Sequence, residues 1–332
     1  MRDLVKKLTD TYGPSGNEEL VSQVIREEIE SYVDEIKTDV MGNLIGIKKG
    51  NGKGKRIMLA AHMDQIGLMV THIDDKGFLR FSNLGGISVA NSINRRVLFQ
   101  NGVAGVIGYE TEIDSWKDIT MAKLYIDIGV SSKEEAEKLV EIGDVAVYHP
   151  LFSESNGKYI GGAMDNRAGC ALLVQVIKEL KSTPNDLYFV FTVQEELGLR
   201  GAKTAAYALE PDLAIAVDVT ATGDTPKSKP MAVSLGQGPA IKIKDSSVLT
   251  HPLVKKLMET TAQKNSIPYQ LEILEYGGTD SGAIHLSRGG VPSGVLSIPC
   301  RYIHSDSETV DASDMMNGVR LLKKILEEDI NI

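Results

Sequence analysis

The chain has 332 residues, room for about two domains, and 42% of them are hydrophobic, enough for a real core and against wholesale disorder. Lys and Arg number 36 against 45 Asp and Glu, a formal net charge of −9 with no basic block, so nucleic acid is excluded as an expected partner. Nothing approaches a membrane span, Met1-Arg2-Asp3-Leu4-Val5-Lys6-Lys7 lacks the apolar core of a signal peptide, and two distant cysteines, Cys170 and Cys300, fit a reducing, cytoplasmic setting.

Leu4, Val5, Leu8 and Tyr12 recur at helical spacing until Gly13-Pro14-Ser15-Gly16 breaks the run. Ser15 and Glu18 then have capping-box spacing, opening a second helix with an apolar face of Val21, Val24, Ile25, Ile29 and Tyr32. Residues 43–47 and 56–61 read as strands, the second an apolar run of the kind buried on both faces. The glycine-rich turn between them, 50–55, is no phosphate loop, because no Ser or Thr follows its lysine and a strand comes next.

From 67 to 161, short alternating runs are punctuated by Asp74-Asp75-Lys76-Gly77, Gly85-Gly86, Asn101-Gly102 and Gly143-Asp144. One helix is expected at 132–140, opened by Ser132 and Glu135. This stretch is expected to be a small β-barrel or sandwich inserted into a larger α/β domain made of 1–66 and 162–332. After 162, helices at 165–180, 251–265 and 312–328 are interspersed with strands at 187–193, 213–219 and 294–298. The fold class expected is therefore α/β, a mixed sheet sandwiched by helices, with an inserted small β-barrel domain.

Open α/β sheets bind ligands beyond the carboxyl ends of their strands. His62 and Asp64 follow the strand at 56–61, and Gln194, Glu195 and Glu196 that at 187–193. Asp218 falls at the end of the strand at 213–219, His304 lies in the loop after 294–298, and Asp165 precedes a helix. A lone histidine after a strand is ordinarily a polar strand end. Five segments converging on one sheet edge are another matter: two imidazoles and three carboxylates suffice for two metal ions if one carboxylate bridges. Such mixed ligands favour Zn, Co or Mn over Ca or Mg. Residues two apart in extended chain face the same way, so Asp64 is placed to reach the imidazole of His62, a turn cap being the alternative. Adjacent Glu195 and Glu196 diverge in extended backbone, leaving one free to act as a base while the other binds metal.

The segments Ala61-His62-Met63-Asp64-Gln65-Ile66-Gly67, Met164-Asp165-Asn166-Arg167, Glu195-Glu196-Leu197-Gly198-Leu199-Arg200-Gly201-Ala202, Asp218 and Arg301-Tyr302-Ile303-His304-Ser305 occur in that order. Together they closely resemble the tetrahedral (TET) glutamyl/leucyl aminopeptidases, dinuclear metallopeptidases of zinc-exopeptidase fold whose members sometimes carry an endoglucanase label. The resemblance runs from Gly13 to the last helix. It implies that His62, Asp165 and Asp218 hold one divalent metal and that Asp165, Glu196 and His304 hold the other, Asp165 bridging. It makes Glu195 the general base and Asp64 the partner of His62. It also implies a dimerisation role for the inserted barrel and twelve-subunit assemblies built from dimers. The loop Tyr276-Gly277-Gly278-Thr279-Asp280-Ser281-Gly282 resembles a family segment near the active site. Arg301 stays open between a substrate carboxylate and a structural acid.

The activity so implied is removal of N-terminal residues from peptides with a free N-terminus, a metal-bridging water being activated by Glu195. A neutral aliphatic first residue is the expected preference, with glutamyl or aspartyl next. A metal-dependent deacylase or carboxypeptidase would share the site but would need an anchor for a substrate carboxylate. An endoglucanase-type glycosidase would use paired acids, yet it needs no histidine ligands, and one tryptophan among 5% aromatics offers little for sugars to stack on. A structural metal site would be closed, leaving Glu195 without a role. His-Glu-x-x-His and Gly-x-Ser-x-Gly motifs are absent, and a Cys300–His304 nucleophile would leave the carboxylates unexplained.

Overall fold

A computed structural model describes residues 1–330 apart from Lys53 and Ile113, so part of the turn expected at 50–55 lies outside the described residues. Helices α1 (Arg2–Thr9) and α2 (Glu19–Ile29) lead into strands β1 (Glu35–Thr38), β2 (Leu44–Lys48) and β3 (Arg56–His62). Then come β4 (Gly67–Ile73), β5 (Leu79–Leu84), α3 (Val89–Ser92), β6 (Arg96–Phe99), β7 (Ala104–Tyr109), β8 (Leu124–Asp127), α4 (Lys133–Ala136) and β9 (Val145–Tyr148). The chain continues through β10 (Ser153–Ser155), β11 (Lys158–Gly161), α5 (Met164–Glu179), β12 (Asp186–Thr192), α6 (Arg200–Leu209) and β13 (Leu213–Thr220). It ends with β14 (Ala240–Lys244), α7 (Pro252–Lys264), β15 (Gln270–Ile273), α8 (Asp280–Ile284), β16 (Ser293–Arg301), β17 (Glu308–Asp311) and α9 (Ala312–Leu326).

Among the described residues, eleven strands form one mixed sheet: nine follow the path β1-β2-β12-β3-β13-β16-β17-β11-β10, and β14, paired with β16, carries β15 off it, while β4 to β9 close a separate barrel. At the centre β12, β3, β13 and β16 are parallel, so their carboxyl ends share one edge. β3 shows why the sequence builds this layer. Ile57, Leu59 and Ala61 join a core with Leu172 and Val176 of α5 and Leu322 of α9. Met58 and Ala60 point the other way, onto Ala202, Ala205 and Ala206 of α6 and Ile284 of α8. A strand buried on both faces needs a continuous apolar run rather than alternation. The barrel has its own core of Leu68, Val70, Leu79, Val97, Phe99, Ile107 and Ile126. The expected α/β class with a closed antiparallel barrel is what the chain forms.

Local departures have local causes. The Ser15–Glu18 capping box does not form: Ser15 Oγ donates to the Asp64 carboxylate at 2.6 Å and Glu18 itself stands at the N-cap. That charge-assisted bond orients the Ser15 hydroxyl toward Asp64, away from the helix N–H that a capping serine accepts. Tyr32 lies beyond the end of α2 and is exposed, and Tyr12 leaves α1 to donate its hydroxyl to the Val145 carbonyl. The helix expected at 132–140 is only α4; Ser132 does cap it, but the chain turns at 136–140 to seat Val140 in the barrel core.

Candidate active site

The site stands on the shared carboxyl edge. His62 is the last residue of β3, Asp218 lies near the end of β13, and Asp165 sits in the first turn of α5. Fully buried Arg167 anchors that turn, donating to the carbonyls of Met63, Leu8, Thr11 and Gly13 and to Gln65 Oε1 over 2.6–3.1 Å. Buried backbone carbonyls need hydrogen-bond donors, and this one guanidinium supplies a donor to all four.

Asp165 divides its two oxygens between two imidazoles. Its Oδ1 is 3.1 Å from His62 Nε2 and its Oδ2 is 3.3 Å from His304 Nε2. His62 Nε2 is also 3.6 Å from Asp218 Oδ1, and His304 Nε2 is 3.0 Å from Glu196 Oε1. Two groups of donor atoms result, His62/Asp165/Asp218 and Asp165/Glu196/His304, each with its atoms within 4.8 Å of one another. Glu195 belongs to neither, and its Oε2 stands 3.9 Å from His62 Nε2. Six of the residues singled out in the sequence thus meet at one place, and Asp64 joins them beside His62 Nδ1.

The charges there do not balance. Burial pushes Glu195 well above the usual carboxylate range; His62 opposes this, while Asp218, Asp280 and Glu196 add to it. Burial likewise raises Glu196 and Asp218 despite hydrogen bonds from His304 and His62. Burial works against protonation of His304, yet hydrogen bonds to Asp165 and Glu196 carry its pKa up to about 12. Two imidazoles among four largely sequestered acids leave an excess of negative charge, and the donor set of nitrogen and carboxylate oxygen fits divalent metal ions.

Asp64 does more than its spacing foretold. Nδ1 of His62 is 3.0 Å from the Asp64 carbonyl oxygen and 3.4 Å from its carboxylate. The carboxylate accepts the backbone N–H of Glu195 at 3.0 Å and of Glu196 at 3.2 Å, so the turn-cap reading holds as well. The Glu195–Glu196 pair accordingly lies in a turn, not in extended chain, entered through Gln194 at φ 52°. The side chains still diverge, one toward His62 and one toward His304.

Two contributors carried no sequence signal. Glu308 is buried and accepts the backbone N–H of Asp165 at 2.9 Å and of His304 at 2.7 Å, joining the two ligand-bearing loops. Burial beside Asp165 raises its pKa to about 8. Gly86, from the barrel, offers its carbonyl to His304 Nδ1. Neither follows a spacing rule, because each acts through its position in the fold.

A cavity of about 760 Å³ opens onto the acid cluster, walled by Leu199, Val219, Leu274, Tyr276 and Ile303 with Thr222 and Ser246 among them. Gly277 and Gly278 of the 276–282 loop reach this wall, whereas Asp280 is buried behind it and accepts from Thr192 Oγ1 at 2.5 Å. Cys300 is buried, and burial holds its thiol well above the range in which a thiolate forms, so it is no nucleophile.

The profile of the M42 glutamyl aminopeptidases matches residues 42–321. A putative aminopeptidase of Acetivibrio thermocellus is 59% identical over 97% of both chains. The chain belongs to the M42 family. It is an aminopeptidase, a hydrolase of peptide bonds, and metal dependence is typical of its family. The solved aminopeptidase of the archaeon Desulfurococcus kamchatkensis shares 41% identity with this aminopeptidase at a TM-score of 0.95, over 98% of this chain and 94% of its own. The TET1 peptidase of Pyrococcus horikoshii, which assembles into a tetrahedron or a large octahedral shell, shares 36% at a TM-score of 0.86, over 98% and 99%. The aminopeptidase's acid cluster therefore sits on a fold shared along its full length.

Proposed function

We propose that this M42 aminopeptidase holds two divalent metal ions, one on His62, Asp165 and Asp218 and one on Asp165, Glu196 and His304, with Asp165 shared. The observation that carries this reading is the division of the Asp165 oxygens between two imidazoles. Zn or Co suits the mixed donors best, Mn next. When bound, such ions polarise the scissile carbonyl and lower the pKa of a water. Glu195, outside both donor groups, is the general base: its Oε2 takes the water's proton and passes it to the leaving amine. Asp64 orients His62 and holds the Glu195–Glu196 turn.

The substrates are peptides with a free N-terminus, whose amine meets the carboxylates at the closed end of the cavity. The apolar and hydroxyl-bearing wall favours a neutral aliphatic first residue. A carboxypeptidase or deacylase would need a free cation there, and Arg301 is committed to Asp224. Residues 1–66 with 162–332 form the catalytic unit; of the inserted segment 67–161, β4 to β9 make the barrel used in dimerisation, from which dodecamers follow, while β10 and β11 extend the catalytic sheet beside β17. The assembly of the Pyrococcus horikoshii relative supports this. Cytoplasmic residence fits the two unpaired, buried cysteines.

The test is a release assay on Leu, Glu, Lys and Ala chromogenic substrates, each with a free and an acetylated amine, before and after Zn or Co is returned to chelated enzyme. Metal-restored cleavage of the free-amine set alone is expected. Cleavage of the acetylated set, or full activity without metal, overturns the reading.

A further inference from the structure

Apart from the acid cluster and its imidazoles, the only charged side chain among the described residues lining the cavity is Arg301, at the end of β16. Its Nε and Nη2 donate to Oδ1 and Oδ2 of Asp224 at 2.9 and 2.7 Å. This is the bidentate fork by which a guanidinium recognises a carboxylate. Asp224 is itself fixed from behind: Oδ1 accepts from Thr222 Oγ1 at 2.7 Å and Oδ2 from the Leu235 N–H at 2.9 Å. The pair is thus held rigidly with no net charge, and Leu274, Tyr276 and Ile303 on the same wall add none.

We propose that Asp224 determines which N-terminal side chains this enzyme accepts, by occupying on Arg301 the position that a substrate carboxylate would take. The inference rests on the aminopeptidase reading of the site and deepens it. With Asp224 in place, a Glu or Asp side chain enters the cavity without a counter-charge and is disfavoured, while a neutral side chain loses nothing. With Asp224 removed, Arg301 presents its fork to the bound side chain, and the same site takes acidic N-terminal residues. Asp224 is a specificity residue and has no part in the chemical step.

The experiment measures kcat and KM on Leu- and Glu-p-nitroanilide for metal-loaded wild type, Asp224→Asn, Asp224→Ala, Arg301→Leu and the Asp224→Ala/Arg301→Leu double variant. The Glu-to-Leu ratio of kcat/KM should rise about tenfold or more in the Asp224 variants, mostly through KM for Glu, as gain of one charge-assisted contact implies. The double variant should return the ratio to the wild-type value. Arg301→Leu alone should keep the ratio low, which tests the idea even if the Asp224 variants do not fold. A ratio unmoved in folded Asp224 variants, a gain that survives in the double variant, or a Glu-to-Leu ratio that rises in Arg301→Leu overturns the proposal. Wild type inactive on both substrates instead brings down the underlying aminopeptidase reading, and this inference with it.

Discussion

The carbonyl oxygen of Gly86 lies 2.7 Å from Nδ1 of His304, across 218 residues of sequence, so a barrel loop sets the ring of a residue in the catalytic cluster. With Nδ1 donating there, Nε2 is the nitrogen that faces Asp165 and Glu196 and that would offer its lone pair to a metal bound between them. The approach depends on a missing side chain, because a Cβ on Gly86 would stand 2.9 Å from that nitrogen and 3.0 Å from Cε1. Gly86→Ala should therefore displace the ring and weaken the second metal about 10–100-fold, the usual effect of losing such a partner. Calorimetric titration of chelated protein with Zn should then show one tight equivalent retained and one weakened. Two equivalents of unchanged affinity would sink this assignment.

Glu195→Ala should bind metal as the wild type does, since Glu195 lies outside both donor groups. Turnover on Leu-p-nitroanilide should fall by roughly 10²–10⁴-fold, the range for loss of a general base. Metal content measured on the same sample separates loss of the base from loss of the site. Near-native turnover would remove Glu195 from the mechanism.

How far the sequence could be read depended on whether a residue acts through its neighbours in the chain or through the fold. His62, Asp218 and Glu196 were legible because an apolar strand followed by an acid or imidazole marks the carboxyl edge of a parallel sheet. The barrel was legible from its spaced turns. Gly86 and Glu308 were not, since their partners lie 218 and 143 residues away or are backbone atoms reached only after folding. Ser15 misled for the opposite reason: its spacing from Glu18 was right for a cap, but Asp64 offered its hydroxyl a charged acceptor. Lys242 was silent as well. Nothing in the run Ala240–Lys244 marks it as buried, yet it lies against Glu272 and Asp245.

Arg301 holds the Asp224 carboxyl well below its usual range, chiefly through the hydrogen-bonded fork. A carboxyl depressed in the folded state contributes stability that is present above its unfolded pKa, about 3.9, and is lost as pH falls through the folded value. Asp224→Asn should therefore lower the melting temperature by a constant amount between pH 5 and 8. That deficit should shrink as pH drops below about 4. Melting curves of both proteins across that range give the answer, and a deficit that grew on acidification would contradict the assignment.

Lys242 is buried with its Nζ 2.7 Å from Glu272 Oε1 and 3.2 Å from Asp245 Oδ2, both carboxylates being buried too. Burial alone would lower its pKa, but Glu272 and then Asp245 outweigh that and raise it. Glu272 also accepts from Thr220 Oγ1 at 2.7 Å, and Asp245 caps the 245–248 turn through the N–H groups of Ser247 and Val248. Removing the cation leaves two carboxylates buried without compensation, which typically costs about 3–5 kcal/mol. Lys242→Met should show that loss in urea unfolding, and adding Glu272→Gln should recover part of it, because one of the stranded charges is gone. If the double variant is less stable than Lys242→Met, the network owes its stability to hydrogen bonds rather than to charge balance.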